Sequence, residues 1–291
     1  LASDRLFAQH RIPAPIPWPA CGYPAVVKPS EGSGSEGVRL LADEDARRTH
    51  FGASFPPQGM VVQEHLEGPS FSVEVIGAPG DYRVLPATEL EMDAEHDCKR
   101  VLAPGGLSPK MAAKLAAIGR ACAEALCLTG IMDVEVILHQ GEFKVLEVDA
   151  RLPSQTPISV FHASGLNEVA LLADLYLGSK SAPAAAPTPP GAAVFEHIAV
   201  LGRRLTFSGE HIMAVDQPLR WENNFFGADE ALTTYAEGVD SWVATLIITG
   251  ADREAAWEKH GQVLTNLEEA FGLTTMEDPT PALPGEKGGG A

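Results

Sequence analysis

The chain has 291 residues, a formal net charge of −18 and an isoelectric point near 4.8. So large a surplus of acids argues against binding a nucleic-acid backbone over a broad surface, and no apolar run approaches the roughly 18 residues that cross a membrane. The four cysteines lack the spacing of a zinc site, which predicts free thiols and a cytoplasmic protein. This composition is typical of a soluble enzyme and suits cationic small substrates.

The N-terminal part predicts a helix at 3–10 and then two strands, 23–28 and 38–41, around a glycine-rich loop. The loop at 32–37 fits Gly-x-Gly-x-x-Gly, but a strand rather than a helix follows it, which disfavours a dinucleotide fingerprint. No Gly-Lys-Ser/Thr follows either, so a P-loop is excluded. Two interpretations stay open: a flexible hairpin tip, or backbone N–H groups lying over phosphates with Lys28 as a nearby charge.

The stretch 59–76 predicts a strand that runs into Glu64–Glu67 and then bends at Gly68-Pro69 into another strand. An extended segment between two lobes can pair its backbone with the edge of an adenine. A plain strand–turn–strand is the alternative.

The segment 89–100 carries five acids followed by two bases, and we predict one strand with either a solvated edge or a pocket for a cationic ligand. Lys99 either reaches a γ-phosphate or neutralises Asp97.

The segment 131–157 predicts two strands joined by a turn at 139–142, after a helix that Ser108-Pro109 opens. Alternation predicts that Asp133, Glu135 and Ile137 share one face of the first strand. It also predicts that Phe143, Val145, Glu147 and Asp149 share one face of the second. A register that pairs odd positions with odd positions places Glu135 opposite Glu147 and Asp133 opposite Asp149.

Like charges that face each other across a ladder are destabilising. Either these acids lie on a solvated face, or they hold a divalent metal such as Mg²⁺, which accepts one or two carboxylates and takes further ligands from water and phosphates. Arg151 follows two residues after Asp149 and adds a fixed cation.

The remaining chain predicts further elements. These are a helix at 167–177, an exposed proline/alanine connection at 181–193, strands at 194–202, 219–221 and 242–249, a helix at 252–271 and a disordered tail at 277–291. His197 and His211 are interpreted as structural histidines.

The chain resembles the ATP-grasp superfamily in the order of three features. These are a lysine before a glycine-rich hairpin, a Val-Gln-Glu-His-Leu-Glu-Gly hinge, and the set of Glu135, Glu147, Asp149 and Arg151. Lys28–Val38, Asp149–Pro157 and Gly209–His211 strengthen the resemblance to its amino-acid ligases. The resemblance implies an α+β fold of two lobes that clasp ATP, with a small lobe at 1–66 and a large lobe at 67–276. The Rossmann-like domain that usually precedes them is expected to be missing, which would leave a fragment that binds ATP but is inactive.

The resemblance also implies an ATP-dependent carboxylate–amine ligase that uses ATP and Mg²⁺, for which Mn²⁺ can substitute. Its partners would be amino-acid substrates, with no nucleic acid or membrane, and a homodimer is compatible with it. The implied ATP contacts are Arg5, Lys28, Gly32, Ser33, Gly34, Ser35, Gly37, Glu64, His65, Leu66 and Glu67. The implied metal ligands are Glu135, Glu147 and Asp149, the catalytic residues are Arg151 and Lys99, and the substrate contacts are Arg151, Ser154 and Gln155.

Three alternatives remain from the sequence. The first is another amino-acid or peptide ligase of the same family, which the acidic set cannot distinguish. The second is a nucleotide-binding module without turnover, and the third is an acidic binding protein that takes no nucleotide.

Overall fold

The computed structural model describes residues 2–30, 37–52, 54–178 and 191–281. The helices are α1 (Ala2–His10), α2 (Glu44–Phe51), α3 (Pro109–Leu126), α4 (Thr156–Ser164), α5 (Glu168–Leu177) and α6 (Arg253–Phe271). The strands are β1 (Ala25–Pro29), β2 (Arg39–Leu41), β3 (Met60–Glu64), β4 (Ser70–Ala78), β5 (Asp81–Val84), β6 (Thr88–Met92), β7 (Cys98–Ala103), β8 (Gly130–His139), β9 (Glu142–Asp149), β10 (Ala192–Leu201), β11 (Arg204–Phe207), β12 (Arg220–Phe225), β13 (Ala228–Thr233), β14 (Ser241–Gly250) and β15 (Thr275–Glu277). None of the helices in these ranges is both long and apolar enough to cross a membrane.

The small lobe is a three-stranded antiparallel sheet in the order β2-β1-β3, with α2 packed beside it. Ala25, Val27 and Leu41 are fully buried and form its core with Val62. The Asp43 side chain accepts a hydrogen bond from the Ala46 N–H and so starts α2.

The large lobe is built on a twelve-stranded sheet whose central order is β12-β13-β14-β10-β7-β6-β4-β8-β9. Helix α3 covers one face, where Leu115, Ile118 and Cys122 pack against buried valines of β4 and β8. Leucines of α5 pack on the opposite face against Ile76 and Ile131. A second core lies beneath α6, whose Val263 and Leu267 are fully buried against β10 and β14. The α+β fold predicted from the sequence is confirmed.

Helix α1 packs on the large lobe rather than the small one. Phe7 and Ile12 are buried in the same cluster as Leu115 and Ile118 of α3. The apolar side of this helix is thus completed by α3, and the small sheet itself begins at β1. The division into lobes at 1–66 and 67–276 stays a prediction.

The acidic segment 89–100 is a hairpin, not the predicted single strand. β6 and β7 pair antiparallel, and Asp93 closes the turn by accepting hydrogen bonds from the N–H groups of Glu95 and Asp97. The turn contains no glycine or proline, and His96 takes the left-handed backbone at φ +65°. The carboxylate of Asp93 thus stabilises the turn. A Gly-Asn or Pro-Gly pair, which would indicate a turn in the sequence, is not needed.

The segment expected to be disordered from 277 onward is ordered in its first residues. Glu277 ends strand β15, which pairs with β11, and Asp278 forms ion pairs with Lys99 and Arg100. Positions 282–291 lie outside the described residues, as does most of the predicted 181–193 connection.

Candidate active site

Two pairs of acidic residues face each other across the β8–β9 hairpin. Asp133 pairs with Asp149 and Glu135 with Glu147, as the sequence predicts. The next pair toward the turn is Val136 with Val145, so Leu146 is one extra residue in β9 and forms a β-bulge.

The bulge corrects the predicted face of β9. Val136 and Val145 are buried in the cluster beneath α3, so their paired side chains point to that face of the sheet. The extra residue at Leu146 reverses the alternation, and Glu147 and Asp149 point to the opposite face with Glu135. Phe143 and Val145 therefore do not share a face with Glu147 and Asp149.

The acidic group formed by Asp133, Glu135, Glu147 and Asp149 has too little positive charge nearby to balance its carboxylates. Burial, followed by the charges of Asp133, Glu147 and Asp149, raises the pKa of Glu135 to about 8. Burial also raises the pKa of Asp133 to about 6 and, with the Asp149 charge, raises that of Glu147. Without an added cation, Glu135 thus keeps its proton at neutral pH.

A divalent metal fits this set of carboxylates only if a second molecule supplies its remaining ligands. In the described ranges, no group of three or more histidine, cysteine or acidic side chains is arranged so that it could hold a metal ion by itself. Mg²⁺ asks for only one or two carboxylates and fills its octahedron with phosphate and water oxygens. Glu135, Glu147 and Asp149 therefore suit a magnesium ion that arrives with a phosphate ligand.

Lys28 lies beside this group. Its Nζ donates a hydrogen bond to the backbone carbonyl of Leu146, the bulge residue, at 3.4 Å. Its charge offsets part of the rise that burial and Asp149 cause in the pKa of Glu147. The predicted phosphate contacts Gly32, Ser33, Gly34 and Ser35 fall outside the described residues. Gly37 at the end of that loop has φ +76°, a left-handed conformation that favours glycine.

The hinge after β3 runs along the same hairpin. The Glu64 carboxylate accepts a hydrogen bond from the Ile16 N–H at 3.0 Å and lies 3.7 Å from the Lys144 ammonium. The Glu67 N–H donates to His139 Nδ1 at 3.0 Å. The Glu67 carboxylate, predicted to contact ribose, is more than half exposed. Leu66 is buried, and the His65 N–H donates to the Pro24 carbonyl.

Arg151 stands at the end of the acidic hairpin. Its Nη2 lies 2.7 Å from Asp149 Oδ2, and the guanidinium is more than half exposed. Arg5, the remaining predicted phosphate contact, is exposed on α1, on the α3 side of the large sheet, whereas Glu135 points to the other side.

Lys99 does not neutralise Asp97. Its side chain is 1% exposed and its Nζ lies 2.5 Å from both Asp278 Oδ1 and the Pro279 carbonyl. Asp97 instead accepts from His211 Nδ1 at 2.7 Å. Arg100, which shares Asp278 with Lys99, stacks over Trp257 of α6. Lys99 thus points toward α6, and a contact with a γ-phosphate would require it to leave this partner.

Glu210 is a site residue that the sequence interpretation missed. Its Oε2 accepts a hydrogen bond from Ser154 Oγ at 2.9 Å and another from Gln155 Nε2 at 3.1 Å. Both partners were predicted to contact substrate and follow Arg151 in the loop after β9. The Gly-Glu-His sequence from Gly209 to His211 was the only feature noted there, and it did not indicate a role for Glu210.

Two kinds of comparison identify the class of protein. A family profile for the ATP-grasp domain matches residues 3–155, half of the chain. The biotin carboxylase domain of the 2-oxoglutarate carboxylase of Hydrogenobacter thermophilus aligns with a TM-score of 0.66 at 15% identity, covering 90% of this chain and 64% of that one. The L-amino acid ligase of Bacillus licheniformis gives 0.65 at 15% identity, covering 90% and 69%. The chain belongs to the ATP-grasp family of ATP-dependent ligases.

Closer relatives carry a more specific name. The 3-methyl-D-ornithine--L-lysine ligase of Methanosarcina acetivorans is 32% identical over 273 residues, which covers 93% of this chain and 70% of the relative. That of Methanosarcina mazei is 31% identical over 272 residues and is covered to 68%. The chain thus spans about two thirds of the length of these relatives and of the biotin carboxylase domain.

Proposed function

We propose that this protein joins the carboxylate of one amino acid to the amine of another, at the expense of ATP, and that its substrates are 3-methyl-D-ornithine and the ε-amine of L-lysine. The amide would serve pyrrolysine biosynthesis. The observation that carries the reaction class is the paired acids of β8 and β9, next to Lys28 from one lobe and Arg151 from the other. The substrate pair is supported by the names of the relatives at 30–32% identity.

ATP would bind between the lobes, with its phosphates near Lys28 and its adenine along the hinge. Lys28 places a positive charge within reach of the acids, where phosphate charge must be neutralised. Among the described residues, neither the His65 carbonyl nor the Leu66 N–H has a hydrogen-bond partner, which leaves an acceptor and a donor for the adenine edge.

Glu135, Glu147 and Asp149 would hold Mg²⁺, which, when bound, neutralises phosphate charge. An oxygen of the substrate carboxylate attacks the γ-phosphorus, the bond to ADP breaks, and an acyl phosphate forms. The amine nitrogen then attacks the acyl carbon, phosphate leaves, and the nitrogen loses a proton. Arg151, more than half exposed at the end of the hairpin, would donate to the oxyanion of the tetrahedral intermediate.

The reaction is tested by incubating the protein with ATP, Mg²⁺, L-lysine and D-ornithine or its 3-methyl derivative, and by measuring ADP and the amide by mass spectrometry. We expect both products in equal amounts, and no amide when lysine is replaced by 6-hydroxynorleucine, which lacks the ε-amine. ADP with an amide from other amino acids would identify a different ligase of the family. ATP binding without ADP would identify a nucleotide-binding module.

A further inference from the structure

Strand β12 is an open edge of the large sheet. It stands at the end of the strand order and pairs antiparallel with β13 alone. Within the described part of the chain, no backbone hydrogen bond joins residues 219–224 to anything except β13. The N–H and C=O groups along its outer side are therefore free to pair with a further strand.

A large apolar side chain lies exposed in the middle of this edge. Trp221 is 52% exposed, and Leu219, which precedes the strand, is 37% exposed. Proteins usually shorten, bulge or cover an edge strand, because an uncovered apolar edge pairs with other chains. Aromatic side chains such as tryptophan contribute a large apolar area when an interface buries them. The edge of β12 thus combines free backbone groups with apolar surface.

Two opposite charges flank Trp221 on the other face of the strand. Glu222 pairs with Ala231, which is buried in the core beneath α6, so Arg220 and Glu222 point to the α6 side of the sheet. Trp221 points to the opposite side. Arg220 donates a hydrogen bond to the Tyr235 carbonyl, and within the described ranges neither charge has an ion-pair partner. The strand therefore presents a base and an acid two positions apart.

A second copy of β12 matches this pattern in one register. When two such strands lie antiparallel about a two-fold axis at Trp221, each Arg220 lies opposite the partner's Glu222, and the two tryptophans lie opposite each other. Opposite charges and aromatic pairs that face each other across a ladder stabilise a sheet. A shift by two residues would place Arg220 opposite the partner's Arg220, or Glu222 opposite the partner's Glu222, and like charges there are destabilising. The charges thus favour a single register.

We propose that β12 forms a homodimer interface, in which two copies pair their β12 strands antiparallel about Trp221 and continue the sheet from one subunit into the other. The partner is a second copy because the charges and the tryptophan of β12 complement themselves. The acidic pairs of β8 and β9 lie at the other end of the strand order, so each subunit keeps its own candidate active site. The interface does not depend on the proposed reaction.

Gel filtration with light scattering, and sedimentation equilibrium for the dissociation constant, test the interface. We expect the wild-type protein to run at twice the 30.8 kDa mass of one chain. Arg220→Glu and Glu222→Arg each place like charges opposite each other at two positions, and each should weaken dimerisation by about ten- to hundredfold. The double variant Arg220→Glu/Glu222→Arg exchanges the charges, restores both ion pairs and should dimerise within about threefold of wild type.

Glu124→Arg, at an exposed position on α3, is the matched control and should keep the wild-type dissociation constant. A wild-type protein that stays monomeric at about 0.1 mM would overturn the interface. Unchanged dimerisation in both single variants would do the same. So would a double variant that is folded by circular dichroism but dimerises no better than the single variants.

A disulfide reports the register. In a Cys127→Ser background, which removes an exposed native thiol, Trp221→Cys places two thiols directly across the axis. Opposite residues have Cα atoms about 4.5–5.5 Å apart, a distance that suits a disulfide. We expect mild oxidation to link this variant into covalent dimers, whereas Asn223→Cys, whose thiols would lie more than about 13 Å apart, stays unlinked. Equal linking of both variants, or of neither, would overturn the pairing at Trp221.

Discussion

The Lys28 ammonium donates a hydrogen bond to the backbone carbonyl of Leu146, 3.4 Å away, and so joins the small lobe to the one extra residue of the acidic hairpin. Leu146 also decides which face receives Glu147. One inserted residue thus turns the acids of β9 toward those of β8 and offers a contact for the lysine of the facing lobe.

Replacing Lys28 by Met should weaken ATP binding. The loss of a charge-assisted bond to phosphate, worth roughly 1.5–3 kcal/mol, predicts a KM for ATP raised by about ten- to hundredfold. Lys114→Met is the matched control, because Lys114 pairs with Glu142 on the outside of the large lobe. An unchanged KM for ATP in Lys28→Met would remove Lys28 from the phosphate site.

Glu168→Gln should change how stability depends on pH. Burial, and then the charge of Asp133, raises the pKa of Glu168 from 4.5 to about 7. Between these values the folded chain keeps a proton that the unfolded chain releases, so wild-type stability falls as pH rises through this window. The variant lacks this titrating group, so its stability does not decrease for this reason. Between pH 4.5 and 7, its free energy of unfolding should therefore increase relative to that of wild type by up to about 3 kcal/mol.

Urea denaturation at pH 5 and pH 8 measures this gain. Glu254→Gln, at an exposed position in the first turn of α6, should show no comparable trend. A difference between Glu168→Gln and wild type that is the same at both pH values would contradict the burial of a protonated Glu168.

Asp278→Asn should destabilise the fold. The Lys99 and Arg100 side chains are 1% and 3% exposed. The variant leaves the buried ammonium of Lys99 without its anionic partner and weakens the ion pairing of Arg100. We expect a loss of about 1–3 kcal/mol in the free energy of unfolding. Glu277→Gln removes an exposed pair with Arg204 and should cost at most about 1 kcal/mol.

The same variant tests the role of Lys99. If Lys99 serves only the structure, the KM for ATP stays within twofold of wild type in Asp278→Asn. A lower KM for ATP would mean that the released ammonium reaches the γ-phosphate, as the sequence interpretation proposed.

The pairing of Glu135 with Glu147 was predictable only as one of the possible registers, because the turn at His139 and Glu142, continued without a bulge, would place Glu135 opposite Leu146. The bulge was not, because one additional apolar residue such as Leu146 leaves no distinct signal within a run of Val and Leu. The 89–100 hairpin was missed because Asp93 forms its turn through a side chain. Glu210 was missed because its contacts with Ser154 and Gln155 join distant parts of the chain.

The account depends most directly on Glu147. We expect Glu147→Gln to lower the rate of ADP formation by about hundredfold and to raise the Mg²⁺ concentration that half-saturates the reaction, since it removes one anionic ligand. Glu142→Gln, on the same strand but paired with Lys114, should keep the wild-type rate and Mg²⁺ dependence. ADP formation by Glu147→Gln at the wild-type rate, with an unchanged dependence on Mg²⁺, would contradict the assignment of these paired acids to the metal.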